Sequence, residues 1–284
     1  MRLSRVLLAS LGLLLWRGAA HALDLHTERG SPYDLALVGK LAGVPSGQTR
    51  YVRWTDLRAL PTTQLTLNGE FTAGDQALTV VFLEDLWKAL PTAPGADTFF
   101  AVCVDGYRSV YTSVFIAKYR PFLVLEINGK GPADWPPEGL DYNPGPYVIT
   151  VSSALVPAAA SYRDIGHKKP WGVVTLEVDT YAERERGILT GSRASLSPAA
   201  QDGREVWVNS CACCHAGPAG IAGGTRAGRP FEVLAAYAKY DPNFFNQYIR
   251  KPKSIMPCAK MEPHPDYTER DLADLIAFMT VDMR

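Results

Sequence analysis

Between Leu65 and Val178 the apolar positions fall in short runs, broken by Gly and Pro at intervals of about ten residues. Leu78–Phe82, Phe99–Val104, Val110–Phe115, Phe122–Ile127, Tyr147–Val151 and Val173–Val178 are rich in Val, Phe, Tyr and Thr, and this pattern predicts strands. Leu83–Leu90 instead has helical spacing and stops at Pro91. Gly129–Pro146 reads as a long loop carrying Trp135 and Tyr142, with Tyr147 just beyond it. Tyr181–Gly191 is charged (Glu183, Arg184, Glu185, Arg186) and reads as a linker or an exposed helix. After Ser197 the period becomes helical. Ser197 with Pro198 predicts a helix start, and Thr268 caps a last helix in which Leu272, Leu275, Ile276 and Met279 share a face.

At the amino terminus, Arg2 and Arg5 precede the apolar run Val6–Trp16, and Ala20-His21-Ala22 follows as a small-x-small site. Eleven helical residues rise about 16 Å, short of the roughly 30 Å hydrocarbon core of a bilayer. Residues 1–22 are therefore expected to be a cleaved export signal, placing the protein in a periplasm with no stable membrane span after cleavage. The chain holds 29 Lys+Arg and 29 Asp+Glu. Loss of Arg2, Arg5 and Arg17 leaves a mature charge of −3. No basic face is indicated, so nucleic acid is not an expected partner. The expected divisions are 23–190, a linker at 191–196, and 197–284.

Cys211-Ala-Cys213-Cys214-His215 carries the chemistry. A Cys-x-x-Cys-His run is the attachment pattern of c-type haem. Two thioethers hold the vinyl edge of a porphyrin, and the next residue offers an imidazole to the iron. A redox dithiol would follow a strand, whereas helical flanks are predicted here. Zinc would need two further ligands, which Cys258 and His264 could supply. The carbonyl that orients His215 would come from Gly217-Pro218 or from Gly228-Arg229-Pro230. Three thiols remain (Cys103, Cys213, Cys258), either free or with one Cys213–Cys258 or Cys103–Cys258 disulfide.

Gly203-Arg-Glu-Val-Trp207, the Cys211–His215 run, Pro252–Met261 and Asp274–Phe278 together resemble the class I cytochrome c family. The resemblance implies an all-α cytochrome c fold for the carboxy-terminal part and one covalent haem c. It also implies a close crossing of the first and last helices at Gly203, Trp207 and Phe278. Cys211, Cys214, His215 and Met261 would be the haem-binding residues. His215 and Met261 would be the iron ligands, with Met256 and then His264 as alternatives for the second position. A Met ligand suits an electron carrier because it raises the potential.

Val52–Val151 resembles the molybdopterin-binding domain of the sulfite oxidase family. The carrying residues are Trp54-Thr-Asp-Leu57, Leu83-Glu-Asp-Leu86, Asp105-Gly106-Tyr107, Leu125–Gly129 and Gly145-Pro146-Tyr147. That implies an α+β, mostly β amino-terminal domain. The family's metal-binding thiolate lies before the Leu83–Leu90 helix, where this chain has no Cys, so molybdopterin is not expected. Cys103 reads as a buried small apolar residue, Asp105-Gly106 as a turn, and His167-Lys168-Lys169 as an exposed loop; His26 has no evident partner.

The resulting expectation is a periplasmic monohaem electron carrier, more a redox protein or subunit than a stand-alone enzyme. Its first module would dock a redox partner protein. The alternative is a molybdopterin-dependent oxidoreductase feeding its own haem.

Overall fold

The computed structural model describes residues 22–282 except 70, 72–73, 153–154, 156–164 and 190. The proposed export signal lies outside the described residues apart from Ala22. The fold is built on one mixed sheet of nine strands. These are β1 (Leu35–Gly39), β2 (Arg50–Val52), β3 (Thr63–Asn68), β4 (Asp75–Phe82), β5 (Thr98–Cys103), β6 (Arg108–Thr112), β7 (Phe122–Ile127), β8 (Tyr147–Thr150) and β9 (Trp171–Asp179). The path runs β2-β1-β9-β8-β7-β4-β3, with β5 paired to β9 and β6. Among the described strands only β1 and β9 run parallel, from Ala36 opposite Thr175 to Gly39 opposite Val178.

β9 organises the sheet because its nine residues are long enough to serve β1, β5 and β8 in turn. Its alternation buries Val173, Leu176 and Val178 in a core with Leu35, Phe99, Tyr111, Leu123 and Tyr147. A second apolar cluster on the other face joins Leu78, Val80, Phe122, Val124 and Trp135. Helices Leu83–Ala89 and Ser113–Tyr119 close turns between strands, and the second is capped by the Thr112 side chain accepting Phe115 N–H at 3.1 Å.

Beyond β9 the described chain is helical: Pro198–Val206, Phe231–Tyr240, Pro242–Arg250 and Glu269–Met279 are the main segments. Ser197 accepts Ala200 N–H and Pro198 occupies the first turn, as the capping pattern requires. Thr268 and Asp271 cap the last helix reciprocally.

The expected pairing of a mostly β domain with a separate all-α cytochrome c fold is overturned. The molecule is mixed α/β around the nine-stranded sheet, and no all-α carboxy-terminal cytochrome domain is evident. The β5–β6 turn is bonded into the helical region: Arg108 N–H donates to Cys213 O at 2.8 Å, and Thr225 N–H donates to Gly106 O at 2.9 Å. Tyr181–Gly191 is no plain exposed linker either. Glu185 within it is 0% exposed and meets the Arg108 guanidinium at 2.7 Å. A charged run predicts exposure, whereas here two opposite charges are buried together.

Candidate functional site

Local geometry around Cys211 follows from an irregular helix end. Pro198–Val206 continues into a wider turn, Trp207–Cys211, where Ala212 N–H bonds to Trp207 O, five residues back. Such widened turns often mark functional sites. Cys214 N–H and His215 N–H then both donate to Cys211 O, at 3.1 and 2.9 Å, so both cysteines and the histidine share one tight turn. Gly223 and Gly224 pack against that turn; a Cβ would stand 2.3 Å from His215 O at the first and 2.2 Å from Cys213 O at the second. Only glycine permits that approach.

A cavity of about 350 Å³ opens beside this turn, within the range of small-molecule and cofactor sites. Cys211, Cys214, His215 and Met261 all line it, so the structure brings together the four residues singled out from sequence. Met256 does not line it and is 37% exposed. Trp207, Phe244, Phe245, Tyr248, Ile249 and Leu275 supply much of the apolar wall. Trp207 meets Phe231 edge-on at 4.9 Å, and Phe231 meets Phe278 at 6.2 Å. The expected meeting of Trp207 and Phe278 is thus bridged by Phe231. Gly203 does touch the last helix, where a Cβ would fall 1.8 Å from Asp274 O.

His215 Nδ1 lies 3.2 Å from Arg229 O, which selects the Gly228–Pro230 segment over Gly217-Pro218. A proton on Nδ1 leaves the Nε2 lone pair free, and burial lowers the pKa of the ring and favours its neutral form. Both features suit a metal-binding imidazole. Burial pushes the Cys211 thiol up to about 12. The Cys214 thiol is lowered, first by the Cys213 thiol at 3.9 Å and then by Arg226. Cys213 itself is buried, donates to Ser210 O at 2.7 Å and lies against the Cys214 thiol. The donor set and the aromatic wall therefore fit a haem held by Cys211, Cys214 and His215.

All five cysteines are free, so neither disulfide considered from the sequence forms. Cys258 is exposed while Cys103 and Cys213 are buried. Among the described residues no three His, Cys, Asp or Glu converge on a metal position, which disfavours a zinc set with Cys258 and His264. Cys103 ends β5 at 3% exposure, and burial pushes its thiol up to about 12.

Sequence reasoning missed His167 and offered His264 only as an alternative iron or zinc ligand. His167 and His264 both line the cavity, with His167 Nε2 and His264 Nδ1 3.2 Å apart. Lys168 is 2% exposed, donates to Val110 O at 2.9 Å, and is pulled down to about 8 by burial. The segment read as an exposed loop is thus partly interior. Tyr107 OH and Ser109 Oγ both bond to His167 O, at 2.7 and 3.1 Å, carrying the sheet up to the cavity. Asp105 forms the expected turn, accepting Tyr107 N–H, and also pairs with Arg226 at 3.0 Å. His26, left without a partner by the sequence, lies 2.9 Å from Asp56.

No family model matches the chain. It is 33% identical over 115 residues to a cytochrome c oxidase subunit 2 from Alkalihalophilus pseudofirmus, a match covering 38% of this chain. The chain spans about a third (32%) of the length of that relative. Among the described residues no helix is long and apolar enough to cross a membrane. By its description that relative is one subunit of a cytochrome c oxidase.

Proposed function

We propose that this protein is an electron-transfer protein carrying one haem c on Cys211 and Cys214, with His215 as one iron ligand and Met261 as the other. The observation that carries this is the single turn that holds all three attachment residues at the wall of an aromatic-lined cavity that Met261 also lines. When bound, a haem supplies one-electron redox chemistry.

The residues of the chain do the rest. Arg229 O holds the His215 ring in one tautomer. Trp207, Phe244, Phe245 and Leu275 exclude water from the cavity and lower its dielectric, which tunes a redox potential. The thiols of Cys211 and Cys214 are unoxidised and adjacent, as thioether formation requires. Export to a periplasm and exchange with a redox partner protein complete the reading. Support comes from the Arg2–Ala22 pattern and from the likeness to an oxidase subunit. The sheet is assigned a docking and scaffolding role, because its β5–β6 turn is bonded to the attachment turn.

The test is expression with export and c-type haem maturation. One covalently held haem per chain is expected by intact mass and by the pyridine haemochrome spectrum, with retention of colour in denaturing gels. Cys211→Ala and Cys214→Ala should lose that retention. Met261→Ala should abolish the weak sulfur-to-iron absorption band while Met256→Ala keeps it. A colourless native protein under these conditions sinks the reading.

A further inference from the structure

Two imidazoles meet in the cavity wall, one from the sheet side and one from the helical region. His167 lies just before β9, and His264 lies just after Met261 in the chain. His167 Nε2 stands 3.2 Å from His264 Nδ1. Both backbones are fixed by bonds that do not use the rings. His167 O accepts Tyr107 OH at 2.7 Å and Ser109 Oγ at 3.1 Å, while His264 N–H donates to Ile249 O at 3.0 Å. Tyr267 stacks on the His264 ring at 4.9 Å. The two nitrogens are therefore held in place before any ligand arrives.

A hydrogen bond accounts for this contact only in part. With both ring axes along the N···N line, the ring centres would stand about 5.5 Å apart. Here they are 4.7 Å apart, with planes inclined at 46°. At least one ring axis is thus turned off the line. The 3.2 Å separation is also the bite of two imidazoles on one ion. At zinc–nitrogen distances of about 2.0–2.1 Å it subtends about 100–106°, close to tetrahedral, whereas a square-planar ion would need about 2.9 Å. Burial lowers both rings and keeps them neutral, so each offers a lone pair without first losing a proton.

We propose that His167 and His264 chelate one divalent transition-metal ion, zinc by the near-tetrahedral bite, with water in the remaining positions. No third protein donor converges among the described residues, so the site is open and binds less tightly than a three- or four-residue set. The cavity gives the ion its entry path. Bound there, the ion ties the segment before β9 to the segment after Met261 and braces the cavity across the joint between sheet and helices.

The test is a calorimetric zinc titration of the full-length haem-loaded protein, in which thioethers occupy Cys211 and Cys214. One zinc ion per chain is expected. His167→Gln and His264→Gln should each weaken binding at least about tenfold. His26→Gln, which removes the imidazole paired with Asp56, should bind as the native protein does. Zinc binding that survives His167→Gln, binding lost in His26→Gln, or a native protein that takes up no zinc overturns the proposal. If a variant fails to fold, zinc-edge X-ray absorption of the native protein decides. Two imidazoles at about 2.0–2.1 Å beside water oxygen are expected, and a sulfur shell at about 2.3 Å, the mark of a cysteine site, overturns the proposal. The inference stands apart from the haem reading. A protein that attaches no haem sinks that reading, and the titration then uses Cys211→Ala with Cys214→Ala; a haem protein whose zinc binding ignores His167 sinks this inference alone.

Discussion

His167 and His264 show how two weakly informative residues become one buried group. Alone in sequence, His167 has no evident partner and His264 is only an alternative ligand for iron or zinc. In the structure their rings stand 4.7 Å apart, and Tyr267 stacks on His264 at 4.9 Å. Burial first, then His264 and Lys168, push His167 down to about 4; burial and then His215 do the same to His264. Both folded values lie below the usual 6.5, so on acidification the unfolded chain takes up protons first. Stability is therefore full above about pH 6.5 and is lost progressively down to about pH 4, where the folded form protonates too. For buried His264 the loss is at most about 3 kcal/mol over that window. Urea unfolding at pH 7 and pH 4.5 measures it, and His264→Gln should reduce the difference between the two midpoints. An equal difference in the variant would show that other groups govern the acid sensitivity. The reverse lesson holds at His215: the Cys-x-x-Cys-His spacing marked the residue, but two segments could supply its carbonyl partner and only the three-dimensional path of the chain selects Arg229.

The helix pair Pro198–Val206 and Glu269–Met279 depends on a residue with no side chain. At Gly203 a Cβ would reach within 1.8 Å of Asp274 O and 2.8 Å of Leu275 N, both backbone atoms that cannot rotate away. Gly203→Ala should therefore force the helices apart and cost about 1–3 kcal/mol or more, read as a lowered thermal midpoint. An unchanged midpoint would mean that the helices do not cross so closely. These helices were legible from sequence because caps and period coincide: Ser197-Pro198 at one start, Thr268 with Asp271 at the other. Strands β4, β5, β7, β8 and β9 were legible for the same reason, with β-branched and aromatic runs between breakers. β1 was missed although Leu35–Gly39 is apolar throughout, since periodicity cannot assign so short a run. Val110–Phe115 runs three residues past the end of β6, because Thr112, the last strand residue, also caps the helix that starts at Ser113. Phe231–Tyr240 and Pro242–Arg250 were not recognised, and their aromatics turn out to form the cavity wall.

At the scale of the whole molecule, the joint between sheet and helices decides whether they behave as one body. Arg108 leaves β6 and meets Glu185 at 2.7 Å, the two side chains being 7% and 0% exposed. The guanidinium also lies 4.2 Å from the centre of the Phe100 ring. Arg108 Nε and Nη2 and Glu185 Oε2 have no protein partner, so the pair is not fully compensated by other hydrogen bonds. A buried ion pair of this kind contributes little net stability relative to well-packed apolar residues, yet loss of one partner strands the other charge. Glu185→Gln should cost about 3–5 kcal/mol, whereas Arg108→Met with Glu185→Leu should recover most of it. The readout is thermal unfolding followed twice, by far-ultraviolet circular dichroism for the sheet and by haem absorbance for the cavity. Because Arg108 N–H also holds Cys213 O, both signals should move together in Glu185→Gln. If the haem signal keeps its native midpoint while the sheet signal falls, the helical part is stable by itself and the sheet is an accessory, not a structural part of the haem site.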